Sequence, residues 1–252
     1  LVQTFERAGW KVGGSVDIMG VWSGSSTSLR GKLARRLLGL TYAALTAFVL
    51  CYIFYSPATF KLHSVEGHLE SVQQDFSFVP ATYWSEFMEI PFMKYTHTFP
   101  VAAWCILGCF QLISRGSAHR YLGRAFMVLT MVVWLSVWHM AAVRFGFFIR
   151  MLGRRFVVPA NLWFGFTSAM AWAAARRRRF ANHERWIIRH LFFGMAPVVQ
   201  RLIYYPLLQV CQTLPDPPSL DRVFALSALV AFSAAPVAAE VWLLATQKRK
   251  GL

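Results

Sequence analysis

Residues 95–149, YTHTFPVAAWCILGCFQLISRGSAHRYLGRAFMVLTMVVWLSVWHMAAVRFGFFI, decide the fold. They hold two apolar runs, Tyr95–Ile113 and Tyr121–Ile149, joined by a short polar link from Ser114 to His119. An α-helix needs about 20 apolar residues to cross the hydrocarbon core of a bilayer. In lipid the backbone must satisfy its own hydrogen bonds, which a helix does within one segment. Four more runs flank this pair: Leu37–Tyr55, Phe156–Ala175, Trp186–Val210 and Arg222–Thr246. The expected architecture is therefore all-α, a polytopic transmembrane helical bundle of about six spans.

The charges lie on the links. The chain has 252 residues, of which 56% are hydrophobic and only 15% charged, against about a quarter in a soluble domain. Lys and Arg number 26 against 11 Asp and Glu, a formal net charge of +15. With six spans, one face collects Arg30, Lys32, Arg35, Arg36, Arg115, Arg120, Arg124, Arg176 to Arg179, Arg185 and the Lys248-Arg249-Lys250 tail. The other face collects the acidic link with Glu66, Glu70, Asp75, Glu86 and Glu89. The positive-inside rule then puts both termini on the basic, matrix or cytoplasmic, side. The chain divides into a basic Gly/Ser-rich arm (1–36), a first span (37–56), an acidic segment (57–94), a four-span core (95–210) and a last span with its link and basic tail (211–252). The arm begins at Leu1 and resembles the remnant of an organellar leader. Basic residues that flank lipid-spanning runs suit anionic lipid or protein partners better than nucleic acid.

Three short motifs follow one another through the core. His97 opens a run that continues Leu107-Gly108-Cys109-Phe110-Gln111; then come His119-Arg120-Tyr121-Leu122-Gly123-Arg124 and His183-Glu184-Arg185-Trp186-Ile187-Ile188-Arg189, with Arg201 further along. Their order and spacing resemble the predicted membrane proteins of domain of unknown function 2306, whose pattern is roughly H…LGxxQ, HRxxGR and HxxWMxR followed by an arginine. Ile187 stands where that family usually has Met. The resemblance covers about residues 92–206 and implies an architecture and a set of residues, not a reaction.

Five histidines fall at span ends or within spans. His97 and His139 belong toward the acidic side, and His119, His183 and His190 toward the basic side. Two imidazoles from different helices facing one slot can ligate a b-type haem. His97 with His139, and His119 with His183 or His190, meet the requirement of equal depth. That plan is similar, distantly, to the four-helix cores of cytochrome b561-type proteins, with Gly108, Gly123 and Gly194 admitting a flat macrocycle. The competing reading is structural, since histidines at span ends often cap helices or bond across them.

Arg120, Arg124, Arg185 and Arg189 cluster where two links meet the basic face, a pattern suited to the phosphates of anionic lipid such as cardiolipin. Gln200 and Arg201 fall deep in the fifth span and Glu240 in the sixth, where an unpaired charge is costly. Glu240 is one candidate partner of Arg201; a buried structural ion pair is the simpler reading, and a proton or quinone-headgroup contact the sharper one. Cys51, Cys105, Cys109 and Cys211 lie in or beside apolar runs without zinc or disulfide spacing.

No phosphate-binding glycine loop, Ser-His-Asp order or paired-carboxylate constellation appears. These observations favour a non-catalytic accessory subunit of a larger organellar membrane complex. A respiratory assembly of the mitochondrial inner membrane suits the basic, aromatic-rich chain, and a bacterial-type plasma membrane is the alternative. Its partners would be other subunits and anionic lipid, with no metal. The alternative function is transmembrane electron transfer through haem b. A transporter using Arg201 and Glu240 has only Pro197 and Pro236 in its support.

Overall fold

The computed structural model of the chain describes residues 29–55, 94–143 and 154–247. Most of the arm, the acidic segment, the link 144–153 and the basic tail lie outside the described residues. Those described form helices and short turns: α1 (Leu29–Tyr55), a π-helical turn (Lys94–Thr98), α2 (Phe99–Ile113), α3 (Gly116–Val143), α4 (Arg154–Arg176), α5 (Phe180–Gly194), α6 (Ala196–Gln212) and α7 (Leu220–Gln247). The chain is an all-α membrane protein. By length and composition, four stretches can cross a membrane: Tyr95–Ile113, Gly116–Ala142, Phe180–Gln212 and Leu220–Thr246. α1 holds a shorter apolar stretch, Arg36–Cys51. α4 is 23 residues long but carries arginine at both ends, Asn161 and an internal Pro159, which dilute its apolar character.

Consecutive helices pack as antiparallel neighbours. α2 lies on α3, α4 on α5 and α6 on α7, while α7 also lies on α5, α4 on α3 and α1 on α2. The turn between α4 and α5 explains why the four arginines are compact. Arg178 adopts a left-handed φ of 56°. Its N–H bonds Ala175 O at 3.0 Å, and the N–H of Arg179 bonds Ala174 O at 2.9 Å. This is a Schellman closure with arginine where glycine is usual, and all four side chains are exposed.

α5 and α6 make one crossing with a break at Met195. Pro197 lies in the first turn of α6, where its missing N–H is tolerated, so the helix restarts there.

Lipid tails are as apolar as leucine, so burial of apolar surface does not drive these helices together. Close approach and interhelical hydrogen bonds do. α7 buries Ala228, Ala231, Ala235 and Ala239 at three- and four-residue spacing. Elsewhere three glycines receive aromatic rings: Tyr42 fills the space at Gly108, Trp134 at Gly165 and Trp104 at Gly194. An added methyl at any of the three would collide with the ring.

Candidate functional site

Polar side chains enter the core in layers. On α2 and the turn before it, His97, Trp104 and Gln111 recur every seven residues, about 10.5 Å per interval. On α5, His183 and His190 repeat the interval.

The middle layer is fully buried and joins four helices. Trp104 Nε1–H donates to Thr130 Oγ1 at 2.9 Å. Thr130 lies 2.9 Å from Phe126 O and 3.5 Å from His190 Nε2. His190 Nδ1 lies 3.1 Å from Thr167 Oγ1, which donates to Phe164 O at 3.0 Å. With its own proton on a carbonyl, Thr167 can only accept from His190, so Nδ1 carries the imidazole proton and Nε2 keeps its lone pair. Thr130 likewise gives its proton to Phe126 O, so its oxygen accepts from Trp104 and only faces Nε2 of His190 across 3.5 Å. Phe126 and Phe164 enclose the ring, with centroids 5.9 and 4.4 Å away. These bonds tie α2 to α3 and α5 to α4, and the layer reads as an interhelical clamp.

The basic-end layer brings the three motifs together. Gln111 Nε2 donates to His119 O at 3.1 Å, and its amide lies against Gly123. His119 and His183 face each other with ring centroids 6.4 Å apart and planes at 87°. His183 Nδ1 donates to Ala171 O at 2.9 Å, leaving Nε2 with a lone pair. Ser114 Oγ lies 3.5 Å from His119 Nδ1. Arg120, Arg124 and Arg185 are exposed at this end, with Arg124 5.8 Å over the Tyr121 ring.

The opposite end holds His97, whose Nδ1 lies 2.9 Å from Ser136 Oγ. Ser136 donates its proton to Val133 O at 2.7 Å, so His97 carries its own on Nδ1. Gln200 is wholly buried and donates to Phe224 O at 3.3 Å. Arg201 donates to Pro197 O at 2.5 Å and to Gln200 Oε1 at 3.3 Å.

The five histidines fall in three layers rather than two. His119 meets His183, whereas His190 lies two turns deeper in its own layer. No ring contact joins His97 to His139: His97 is bonded to Ser136, and His139 is exposed on α3. The candidate Arg201–Glu240 pair does not form. Glu240 binds Arg189 instead, because α7 runs antiparallel to α5 and α6. Gln200 meets Phe224, and Glu240 lies sixteen residues further along α7, about 24 Å away. Glu240 is also half-exposed rather than buried, and Arg201 is partly buried. Among the four basic-face arginines, Arg189 is therefore already engaged by a carboxylate.

Sequence reading missed Trp104, Thr130, Ser136, Asn161 and Thr167. Buried threonine and serine at inward positions of α3 and α4 were the available signal, hidden because such residues are common in membrane helices. Among the described residues, no group of three or more His, Cys, Asp or Glu side chains could hold a metal ion.

A family model described as a predicted membrane protein (DUF2306) matches residues 94–237, more than half of the chain. No curated protein and no solved structure matches it.

Proposed function

We propose, from the premise that this chain belongs to the DUF2306 family of predicted membrane proteins, that it is a transmembrane electron carrier with one b-type haem held between His119 and His183 at the basic face. We place its six helical passes with both termini on that face. One observation carries this reading. His119 and His183 lie on different helices with ring centroids 6.4 Å apart, and these two imidazoles would hold the haem iron.

The donor set fits. A metal-binding histidine commonly gives its other N–H to a backbone carbonyl, which fixes tautomer and ring orientation; His183 does this with Ala171. The chain's own residues do the positioning: Gln111 ties the backbone of His119, and Gly123 follows one turn later. Arg120, Arg124 and Arg185 are the cations available for propionates. When bound, haem would supply reversible one-electron chemistry. The test is a reduced-minus-oxidised absorption spectrum of protein expressed with added haem precursor. A haem band that is lost in His119→Ala and His183→Ala but kept in His139→Ala supports the assignment. A featureless wild-type spectrum overturns it.

A second reading is the non-catalytic subunit of a larger, respiratory-type assembly in the mitochondrial inner membrane, with cardiolipin-class lipid on the basic face. The specific support is that Arg189 is held by Glu240, while the exposed arginines gather at one end. Native mass measurement separates the two: a species near 28.7 kDa opposes this reading, and a far larger lipid-retaining species supports it.

A further inference from the structure

The end of the bundle opposite His119 and His183 holds unspent hydrogen-bonding capacity. The Nδ2 donor of Asn161 is buried with no partner, and the whole residue is 6% exposed. His97 carries its proton on Nδ1 for Ser136, and its Nε2 lone pair makes no hydrogen bond among the described residues. The Arg201 guanidinium reaches back to Pro197 O, seven residues beyond His190 on the same crossing, and so comes to the depth of His97.

These groups share one depth. His97 lies seven residues from Trp104, Ser136 six from Thr130 and Asn161 six from Thr167, each counted away from the His190 layer. At 1.5 Å per residue each is displaced by about 9–10 Å in the same direction. Asn161 also continues the buried line Phe164, Thr167, Ser168 and Ala171 on the inward side of α4. A buried unpaired donor in a native core marks an unseen water, ion or ligand.

We infer that His97, Ser136, Asn161 and Arg201 form a binding site for the headgroup of a lipid-soluble quinol. The chemistry selects that class. The site offers an acceptor at His97 Nε2, a neutral donor at Asn161 Nδ2 and a cation at Arg201. A quinol hydroxyl can donate to His97 while its oxygens accept from Asn161 and Arg201. A fatty-acid carboxylate brings no O–H and would set an oxygen lone pair against that of His97. Binding requires no haem, so the site stands whether or not the haem reading does.

The test is isothermal titration of the purified full chain in detergent with decylubiquinol, against empty micelles and against decanoate. Saturable decylubiquinol binding is expected, weakened about tenfold in Asn161→Leu, which removes the donor at similar volume. Ser136→Ala, which frees the His97 proton from Nδ1, gives a second variant should Asn161→Leu fold poorly, and should weaken binding as well. His119→Ala should remove the haem band and leave quinol binding intact, which separates this site from the haem reading. No saturable binding by wild type overturns the inference. So does decanoate binding in place of quinol. Unchanged affinity in the folded variants overturns it too, and leaves Asn161 holding only a water.

Discussion

Arg189 and Glu240 join α5 to α7 through a two-pronged ion pair, Nε to Oε1 at 2.5 Å and Nη2 to Oε2 at 2.9 Å. The guanidinium also lies 4.7 Å over the ring of Trp186. The fork–fork geometry suits arginine and no other cation. Its energetic weight is limited because the Glu240 side chain is 50% exposed.

Glu240→Gln should therefore cost no more than about 1 kcal/mol, the scale of exposed ion pairs. Arg189→Lys should lose most of the coupling, because lysine cannot make the second prong or stack on Trp186 in the same way. Thermal unfolding in detergent of both single variants and the double variant gives the coupling as a double-mutant cycle. A coupling energy near zero would show that the contact adds nothing to the docking of α7.

How much of this was legible in the sequence depends on the scale of the signal. A whole apolar run is long enough to announce a helix, and helices stand at all six expected runs among the described residues. The break at Met195 was foreshadowed by Pro197. Which side chains meet was not legible, because partners are set by register between helices. Shifting α7 by one turn against α5 would bring different residues to Glu240, and no composition rule fixes that shift. The same holds for His190. Its depth resembled that of His183 on a count of residues, yet two helical turns separate a clamp among threonines from a pair of facing imidazoles.

Tyr42 presents a testable cost. Its ring fills the groove at Gly108, but its hydroxyl is buried without a partner. A buried unsatisfied polar group costs about 1–3 kcal/mol. Tyr42→Phe keeps the ring and deletes the orphan, so it should raise the melting temperature. Gly108→Ala should lower it, because the methyl would occupy the place of the Tyr42 ring. A destabilised Tyr42→Phe would mean that the hydroxyl has a partner in the membrane, such as a bound water.

Arg178 is the second strained position. A left-handed φ costs an L-residue roughly 1 kcal/mol that glycine does not bear. Arg178→Gly should be neutral to stabilising by up to about 1 kcal/mol, after allowing for the greater freedom of glycine in the unfolded chain. Lysine at this position would retain the strain and should leave stability unchanged. Thermal unfolding of the two variants side by side checks the sign. A stabilising Arg178→Lys paired with a destabilising Arg178→Gly would assign the energetics of this turn to charge rather than to backbone geometry.

The layer around His190 predicts an asymmetry between two substitutions of equal size. Thr167→Val removes the acceptor of the Nδ1 proton. The imidazole can respond by moving its proton to Nε2 and donating to Thr130, whose own proton then rests on Phe126 O. Only a ring lone pair is left without a partner. Thr130→Val has no such remedy. It strands the Trp104 Nε1–H, held at 2.9 Å by the Thr130 oxygen, in a layer where Trp104 is 2% exposed. Hydrogen bonds in membranes average near 0.6 kcal/mol and reach about 1.7, whereas an orphaned buried N–H costs about 1–3 kcal/mol. Thr130→Val should therefore destabilise by about 2 kcal/mol and Thr167→Val by less than about 1 kcal/mol. Thermal or chemical unfolding in one detergent compares them directly. Equal losses, or a larger loss for Thr167→Val, would mean that the bonds run the other way, with the His190 proton on Nε2 from the start.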